Sequence, residues 1–304
     1  MLFHSSSIHR INADKPLNLM RSKIWFLINR LNNSLFPNYT HGSLRIMSYK
    51  FELSQVDWEK SNIKASPSRR LSGLFFLKLP WDKIESELGE IHVMDVGCGK
   101  GNMAILLQDF SGARIKSYTG LDIVAHSQWQ EISTLNPWIH FRSSDSKEIR
   151  KHIPDATTLI VSQSALEHFE NDLTFFREIR DFIDEKRTPA LQIHLFPSPA
   201  CLELFGLHGV RQYTPRSVSI IAKLFEKNSF SILFPLGGAA SNRVHREYIT
   251  RPLAATGIDL RDMRTAEYDR AVKSALLQDM TDNSHNPSFY ALVIHSFHRN
   301  LIWN

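Results

Sequence analysis

The chain has 304 residues, of which 42% are hydrophobic, enough to build one large globular core or two small ones. No apolar run approaches the roughly 20 residues that a membrane-spanning helix requires, so the sequence predicts no transmembrane segment. Cys98 and Cys201 are too few for a disulfide framework or a four-ligand metal site, so we expect a cytoplasmic protein without a bound metal.

The formal net charge of +5 is concentrated near the amino terminus, where residues 1–46 contain six basic side chains and one acid. The remaining residues are formally neutral, so the overall basicity does not indicate a nucleic-acid partner. Residues 1–46 are interpreted as a basic extension that is poorly ordered or docks on the domain. The amphipathic piece at 24–31 fits a targeting segment, a membrane-surface helix or a partner-binding helix, and the residues leave this choice open.

The segment 47–89 is predicted to be an N-terminal cap over a ligand cleft, with a helix near 81–89. Its basic pair, Arg69 and Arg70, follows a turn-forming Ser-Pro-Ser and is interpreted as solvated surface, with contact to an anionic ligand from the cap as the alternative. From about residue 90, short apolar runs alternate with helical patterns, which is typical of a parallel sheet flanked by helices. The predicted elements are strands at 91–96, 117–123, 138–142, 157–163, 189–196, 229–235 and 289–297, and helices at 101–110, 126–135, 171–185 and 215–225, with a largely helical stretch over 243–282.

These elements predict an α/β fold. We expect a doubly wound, mostly parallel seven-stranded sheet with helices on both faces, a Rossmann-like arrangement that occupies residues 90–304. Insertions at about 198–228 and 236–287 are expected to build a substrate pocket.

The most informative motif is the run DVGCGKG at 95–101, which places an acid and three glycines between a buried strand and a helix. Glycine lets the backbone approach a ligand without a Cβ, and the helix that follows points free N–H groups at the ligand. The spacing Gly-x-Gly-x-Gly, with Asn102 next, departs from the Gly-x-Gly-x-x-Gly of dinucleotide folds. This favours S-adenosylmethionine over NAD.

Here the chain resembles the class I S-adenosylmethionine-dependent methyltransferase family, whose first motif has this order of strand, acid and glycines. Asp122 lies 21 residues after Gly101 at the end of the next strand, where a carboxylate can accept both ribose hydroxyls. Asp145 can equally be an ordinary helix N-cap. The cofactor-binding residues that the motif and the resemblance together imply are Asp95, Gly97, Cys98, Gly99, Gly101, Asp122, Ile123, Ser144, Asp145 and Gln163.

The segment SQSALEH at 162–168 looks like the family's loop after the fourth strand, which places His168 beside the reacting methyl group. We expect His168 to be the base for a hydroxyl acceptor and His194 to be the alternative. A purely structural role for His168, ordering the loop, fits the sequence equally well. Glu167, His208 and Tyr213 are further polar groups expected near this edge of the sheet.

The acceptor is expected to be a small molecule. The Asn/Asp-Pro-Pro-Tyr/Phe motif of the family's DNA-modifying enzymes is missing at the end of strand four, which disfavours base methylation. Aromatic and basic residues in the insertions, Arg211 and His245 among them, suit an acceptor with a carboxylate or phosphate. We expect O-methylation in glycan, lipid or secondary-metabolite synthesis. A non-catalytic scaffold, a protein or RNA methyltransferase, and a homodimer remain open.

Overall fold

The computed structural model describes residues 4–5, 18–35, 40, 42–205, 211–282, 286–300 and 302–303. The strands are β1 (Leu44–Ile46), β2 (Ile91–Val96), β3 (Ile115–Asp122), β4 (Ile139–Ser143), β5 (Leu159–Gln163), β6 (Ala190–Pro197), β7 (Ser229–Leu236) and β8 (Phe289–Ser296). The helices are α1 (Leu19–Leu35), α2 (Gln55–Lys60), α3 (Pro67–Leu77), α4 (Trp81–Leu88), α5 (Asn102–Phe110), α6 (Gln128–Leu135), α7 (Asp172–Lys186), α8 (Cys201–Leu204), α9 (Pro215–Lys223), α10 (Ala239–His245), α11 (Arg251–Thr256), α12 (Leu260–Met263) and α13 (Thr265–Thr281). No described helix is long and apolar enough to cross a membrane.

All eight strands form one sheet in the order β1-β7-β8-β6-β5-β2-β3-β4. Neighbouring strands are parallel except around β8, which runs antiparallel to β6 and to β7. The predicted mostly parallel, doubly wound α/β fold is confirmed, with one strand more than the seven expected. The additional strand is β1, which pairs with β7 in parallel at the edge of the sheet.

The strand order reverses direction at β2. β3 and β4 lie on one side of β2, whereas β5 and β6 lie on the other. Ligands of open α/β sheets bind in the crevice at such a point, outside the carboxyl ends of the strands. The glycine-rich run after β2 and the loop after β5 therefore flank the same crevice.

Apolar side chains cover both faces of the sheet and form two buried clusters. One contains Phe75 and Phe76 of α3 with residues of α4, α5, α10 and α13, and the other contains Phe175 and Phe176 of α7 with residues of α9. The segment 47–89 thus contributes α3 and α4 to the main core, in addition to its predicted position as a cap.

The described part of the amino-terminal segment packs on the domain and adds a strand to its sheet. Trp25 of α1 is 1% exposed, and Leu44 of β1 is 6% exposed and lies in register with Ser231 of β7. A three-residue strand carries too little periodicity to be recognised from sequence, so the boundary at residue 46 was drawn just after an element of the sheet.

Deleting residues 1–46 should lower the melting temperature by about 5–15 °C, because it removes the buried indole of Trp25 and the edge strand β1. Deleting only residues 1–42 keeps β1 and should cost less. Differential scanning calorimetry of both truncations separates the two contributions. An unchanged melting temperature after the longer deletion would show that neither element stabilises the domain.

Candidate functional site

The chain makes a tight turn between β2 and α5. The backbone N–H groups of Gly97 and Cys98 both donate to the carbonyl oxygen of Leu121, over 2.7 and 3.1 Å, and this holds the turn against β3. Gly97, Gly99 and Gly101 have φ values of +80°, +52° and +85°, which L-residues with a side chain rarely adopt. The positive φ angles explain why glycine occupies alternate positions here.

The glycines of this turn differ in what surrounds them. A Cβ on Gly97 would lie 2.3 Å from the Cβ of Ala165, in the loop after β5, and a Cβ on Gly101 would lie 2.4 Å from the ring of Phe141. A Cβ on Gly99 would meet no atom of the described residues within 4 Å. Gly97 and Gly101 therefore allow Ala165 and Phe141 to pack closely on the turn, whereas Gly99 faces open space in the crevice.

Two aromatic residues that sequence reasoning missed support the turn. The indole Nε1 of Trp129 donates a 2.8 Å hydrogen bond to the carbonyl oxygen of Gly99, and its ring stacks on Phe141 at 5.1 Å with an 11° tilt. Phe141 in turn covers Gly101 and Gly120. Neither residue belongs to a recognisable motif, because the contact joins α6 and β4 to a turn about 30 residues earlier in the chain.

Trp129→Phe should weaken cofactor binding about three- to tenfold, because the ring stacking persists while one hydrogen bond to the Gly99 carbonyl is lost. Isothermal titration measures the affinity. Trp81→Phe is a matched control, since the indole of Trp81 likewise donates one hydrogen bond of 3.0 Å to a backbone carbonyl, that of Phe76 in α3. Equal affinities for the two variants would contradict a role of Trp129 in holding the turn.

Asp122 at the end of β3 is tied to the glycine turn. One carboxylate oxygen accepts from the backbone N–H of Gly99 over 2.8 Å, and the other accepts from that of Val124 over 3.2 Å. The next side chains, Ile123 and Val124, are 68% and 57% exposed. Asp122 thus lies beside the glycine turn and next to an apolar surface that faces solvent.

The remaining expected cofactor residues are spread around the same edge. Asp145 caps a 3₁₀ turn at Ser146–Lys151, because its carboxylate accepts from the N–H of Lys147 over 2.9 Å. Ser144 is half-buried and its N–H donates to the Asp122 carbonyl. Gln163 is half-buried at the end of β5. The N-cap interpretation of Asp145 is therefore realised in the structure, and it is compatible with a ligand contact from Ser144.

Asp95 and Cys98 lie below the turn rather than on its surface. Asp95 is buried and accepts a 2.5 Å hydrogen bond from the hydroxyl of Tyr118, and burial raises the pKa of its carboxyl to about 7 despite that bond. Cys98 is buried beside Gly120, and burial raises the pKa of its thiol. The thiol is therefore protonated at neutral pH and packs as a small apolar group.

The loop after β5 carries His168 on its exposed surface. Ser164 opens this loop with a φ of +54°, and Leu166–His168 form one 3₁₀ turn. Buried residues from the segment before α9 hold the loop from below: the Arg211 guanidinium donates to the carbonyl oxygens of Phe169 over 2.6 Å and of Leu166 over 3.3 Å. Arg211, expected to contact the acceptor, instead orders the loop that presents His168.

Tyr213 has a similar structural role. Its hydroxyl donates toward the carbonyl oxygen of Leu166 over 3.0 Å and lies 3.2 Å from a carboxylate oxygen of Asp172. The side chain is completely buried, so it packs beneath the loop and does not reach the crevice. His208 lies outside the described residues.

A cavity of about 320 Å³ opens beside this loop, at the edge of the sheet where β5 and β6 end and β8 begins. It is lined by polar and aromatic side chains from the loop, the cap and both insertions, namely Ser66, Ser68, Arg69, Ser164, Glu167, His168, Pro197, Phe205, His245, Ile249, Arg261 and Phe289. Besides the loop, the lining includes Phe205, His245, Ile249 and Arg261 and the beginning of α3.

The basic pair in the cap separates into two roles. Ser66 caps α3 and Pro67 is its first residue, so Arg69 and Arg70 belong to a helix rather than a turn. Arg70 is buried, pairs with Asp269 at 2.6 Å and stacks over the ring of Trp58, which corrects its interpretation as solvated surface. Arg69 is exposed and lines the cavity.

The other groups in the cavity form a mixed electrostatic environment. Burial raises the pKa of Glu167 to about 7, although electrostatic interactions with the neighbouring Arg211 and Arg69 oppose that shift. Arg261 forms a two-pronged ion pair with Asp259, so its charge is largely balanced locally. Arg69 is therefore the cation best placed to bind an anionic group that enters the cavity.

His245 has a hydrogen-bonding pattern that fixes its tautomer. The Thr250 hydroxyl donates its only hydrogen to the carbonyl oxygen of Leu204 over 2.7 Å, so it must accept from Nδ1 of His245, 3.0 Å away. Burial, helped by the charge of Arg261, lowers the pKa of His245 to about 4. The ring is neutral at pH 7, with its lone pair on Nε2.

His194 does not join the cavity. It lies on β6 with no exposed surface, its Nδ1 is 2.8 Å from the Ser162 hydroxyl, and its ring packs edge-on against Phe176. Burial lowers its pKa to about 3. The structure brings His168 to the crevice and places His194 in the core, because alternate residues of β6 face opposite sides of the sheet and His194 faces α7.

Comparisons with known proteins found one family model and several similar solved structures. Residues 94–185 match a family model described as a methyltransferase domain. Solved structures similar to the chain include a SAM-dependent methyltransferase from Archaeoglobus fulgidus, with 13% identity and a TM-score of 0.45 over 80% of this chain and 100% of that one. The [4+2]-cyclase SpnF shows 13% identity and a TM-score of 0.44 over 94% and 98% of the two chains. No curated protein matches the chain.

The matched stretch runs from β2 to α7 and so contains the glycine turn, Asp122 and the loop with His168. Within the described part of the chain, no group of three or more His, Cys, Asp or Glu side chains is arranged to bind a metal ion. The part of the chain that matches the methyltransferase-domain model therefore contains the glycine turn at the reversal of the sheet.

Proposed function

We propose that the chain transfers the methyl group of S-adenosylmethionine to a hydroxyl of a small anionic molecule. The observation that carries this proposal is the contact between the two halves of the site. Ala165 packs against Gly97 of the glycine turn, while Ser164, Glu167 and His168, its neighbours in the loop, line the cavity. Donor and acceptor sites thus share one loop, as an in-line transfer between them requires.

The residues around the glycine turn fit S-adenosylmethionine. Gly99 leaves open space where a Cβ would otherwise project, and the backbone around it is held by Trp129 and Asp122. Asp122 retains acceptor capacity for ribose hydroxyls, since each carboxylate oxygen has two lone pairs. The exposed side chain of Ile123 offers an apolar surface for the adenine, and Ser144 and Gln163 lie half-buried at the ends of β4 and β5.

When bound, the cofactor supplies a methyl group on a positively charged sulfonium. The protein has to orient the acceptor oxygen and remove its proton. His168 lies on the exposed side of the shared loop and lines the cavity, so its imidazole is the first candidate for taking that proton. Arg211 and Tyr213 order the loop and act as positioning residues.

His245 is a second candidate base. It lines the same cavity, and the hydrogen bond to Thr250 leaves the lone pair on Nε2. A pKa of about 4 makes this nitrogen a weaker base than an ordinary imidazole but keeps it unprotonated at neutral pH. The two candidates are separated by substituting each residue in turn.

Arg69→Ala should raise the KM for an anionic acceptor about 10- to 100-fold and change turnover little, because a charge-assisted contact to the acceptor is lost. Arg69→Lys should recover part of the affinity. Steady-state kinetics with the identified acceptor provides the measurement. A variant with unchanged KM would mean that Arg69 does not contact the acceptor.

The acceptor class is tested by incubating the protein with radiolabelled methyl donor and fractionated cell extract. Label in the small-molecule fraction, retained on an anion exchanger and stable to mild base, supports an anionic O-methyl product. Label in the protein or RNA fraction would contradict the small-molecule proposal and indicate a protein or RNA methyltransferase. Cofactor binding without label in any fraction would favour a non-catalytic scaffold.

We further propose a cytoplasmic location, in which Cys98 and Cys201, both free and buried, stay reduced. We propose that the acceptor belongs to glycan, lipid or secondary-metabolite synthesis.

A further inference from the structure

The helix α1 has its sides reversed relative to an ordinary surface helix. Its polar residues Asn29 and Asn33 are 3% and 8% exposed and, with Trp25, form the side that packs on the protein. The opposite side is apolar and faces solvent, with 48 to 73% of each side chain exposed, and consists of Met20, Ile24, Leu27, Leu31 and Leu35. At 3.6 residues per turn these five fall within an arc of about 80°, centred about 160° away from the buried side.

The charges of α1 are arranged around this apolar stripe. Lys23 and Arg30 lie along one edge and Arg21 along the other, and the helix contains no acidic residue. All three cations are exposed. A continuous apolar stripe with cations on both edges matches the interface of an anionic bilayer, where the apolar side chains enter the acyl boundary and the cations meet lipid phosphates.

We propose that α1 docks the protein on anionic membrane surfaces, lying flat with the stripe from Met20 to Leu35 in the interface. Two of its features distinguish a bilayer from a protein partner: cations border the stripe on both sides, and no acid is present for a partner's basic groups to pair with. The helix rests on α8, and Phe205 after α8 lines the acceptor cavity. Docking therefore holds that cavity close to the lipid surface.

The test is flotation of the full chain with vesicles of phosphatidylcholine alone or with about one-third phosphatidylserine. We expect binding to the anionic vesicles that declines as salt is raised. Leu27→Gln/Leu31→Gln and Lys23→Gln/Arg30→Gln should each lower the partition coefficient about tenfold or more. The matched control is Leu253→Gln/Ile258→Gln, which changes side chains 45% and 49% exposed elsewhere on the surface and should bind as the wild type does.

Cofactor affinity and the melting temperature of all three variants should equal those of the wild type, which excludes unfolding as the cause of lost binding. Equal flotation with neutral and anionic vesicles, or no flotation, would overturn the proposal. A dimer that Leu27→Gln/Leu31→Gln dissociates in sedimentation equilibrium, without vesicle binding, would assign the stripe to a second copy of the chain.

Discussion

Gly99→Val should abolish measurable binding of S-adenosylmethionine while the protein remains folded. No atom of the described residues lies within 4 Å of a Cβ at this position, so the valine side chain would project into the open crevice. We propose that S-adenosylmethionine contacts the backbone of Gly99 there. The residue also has a φ of +52°, so a branched side chain adds backbone strain of about 1–2 kcal/mol. Titration calorimetry should show the affinity reduced beyond detection, with the melting temperature lowered by only a few degrees.

Gly97→Ala provides the contrast. Its Cβ would lie 2.3 Å from that of Ala165, so this smaller substitution should destabilise the protein more than Gly99→Val does. Comparing the two variants distinguishes a glycine that leaves space for a ligand from a glycine that leaves space for a neighbouring loop. If folded Gly99→Val protein bound the cofactor with wild-type affinity, the proposal that the cofactor binds at Gly99 would be wrong.

His168→Gln should lower turnover about 10²–10⁴-fold while cofactor affinity stays near that of the wild type. The reason is that His168 lies on the exposed side of the loop, whereas the bonds that order the loop come from Arg211 below it. Single-turnover rates with the identified acceptor measure the chemical step, and calorimetry measures cofactor binding.

His245→Gln is the informative comparison for this prediction. If His245 is the base, its substitution produces the large loss in turnover and His168→Gln does not. A loop-ordering role for His168 would instead lower cofactor affinity and stability together, with little loss of rate at saturation. Full activity in both variants would leave catalysis to the positioning of donor and acceptor alone.

The alternation of apolar runs and helical patterns after residue 90 was sufficient to predict the mostly parallel sheet, because the central strands β2, β5, β6 and β8 are almost wholly buried apolar runs. The first core strand, 91–96, was predicted with its observed bounds. The same reasoning missed β1, whose three residues have no periodicity of their own and become a strand only by pairing with β7. It also treated Ser66 and Pro67 as a turn, although together they start α3.

The sequence by itself determined the place of the glycine turn between a strand and a helix, since glycine spacing and strand endings are local properties of the chain. Only the tertiary structure decided which glycine faces the crevice, that Trp129 braces the turn, and that His168 and His245 meet in one cavity while His194 is buried. These contacts join residues tens of positions apart, and whether a side chain serves a ligand or the core depends on what packs against it. That information is not encoded in any single motif.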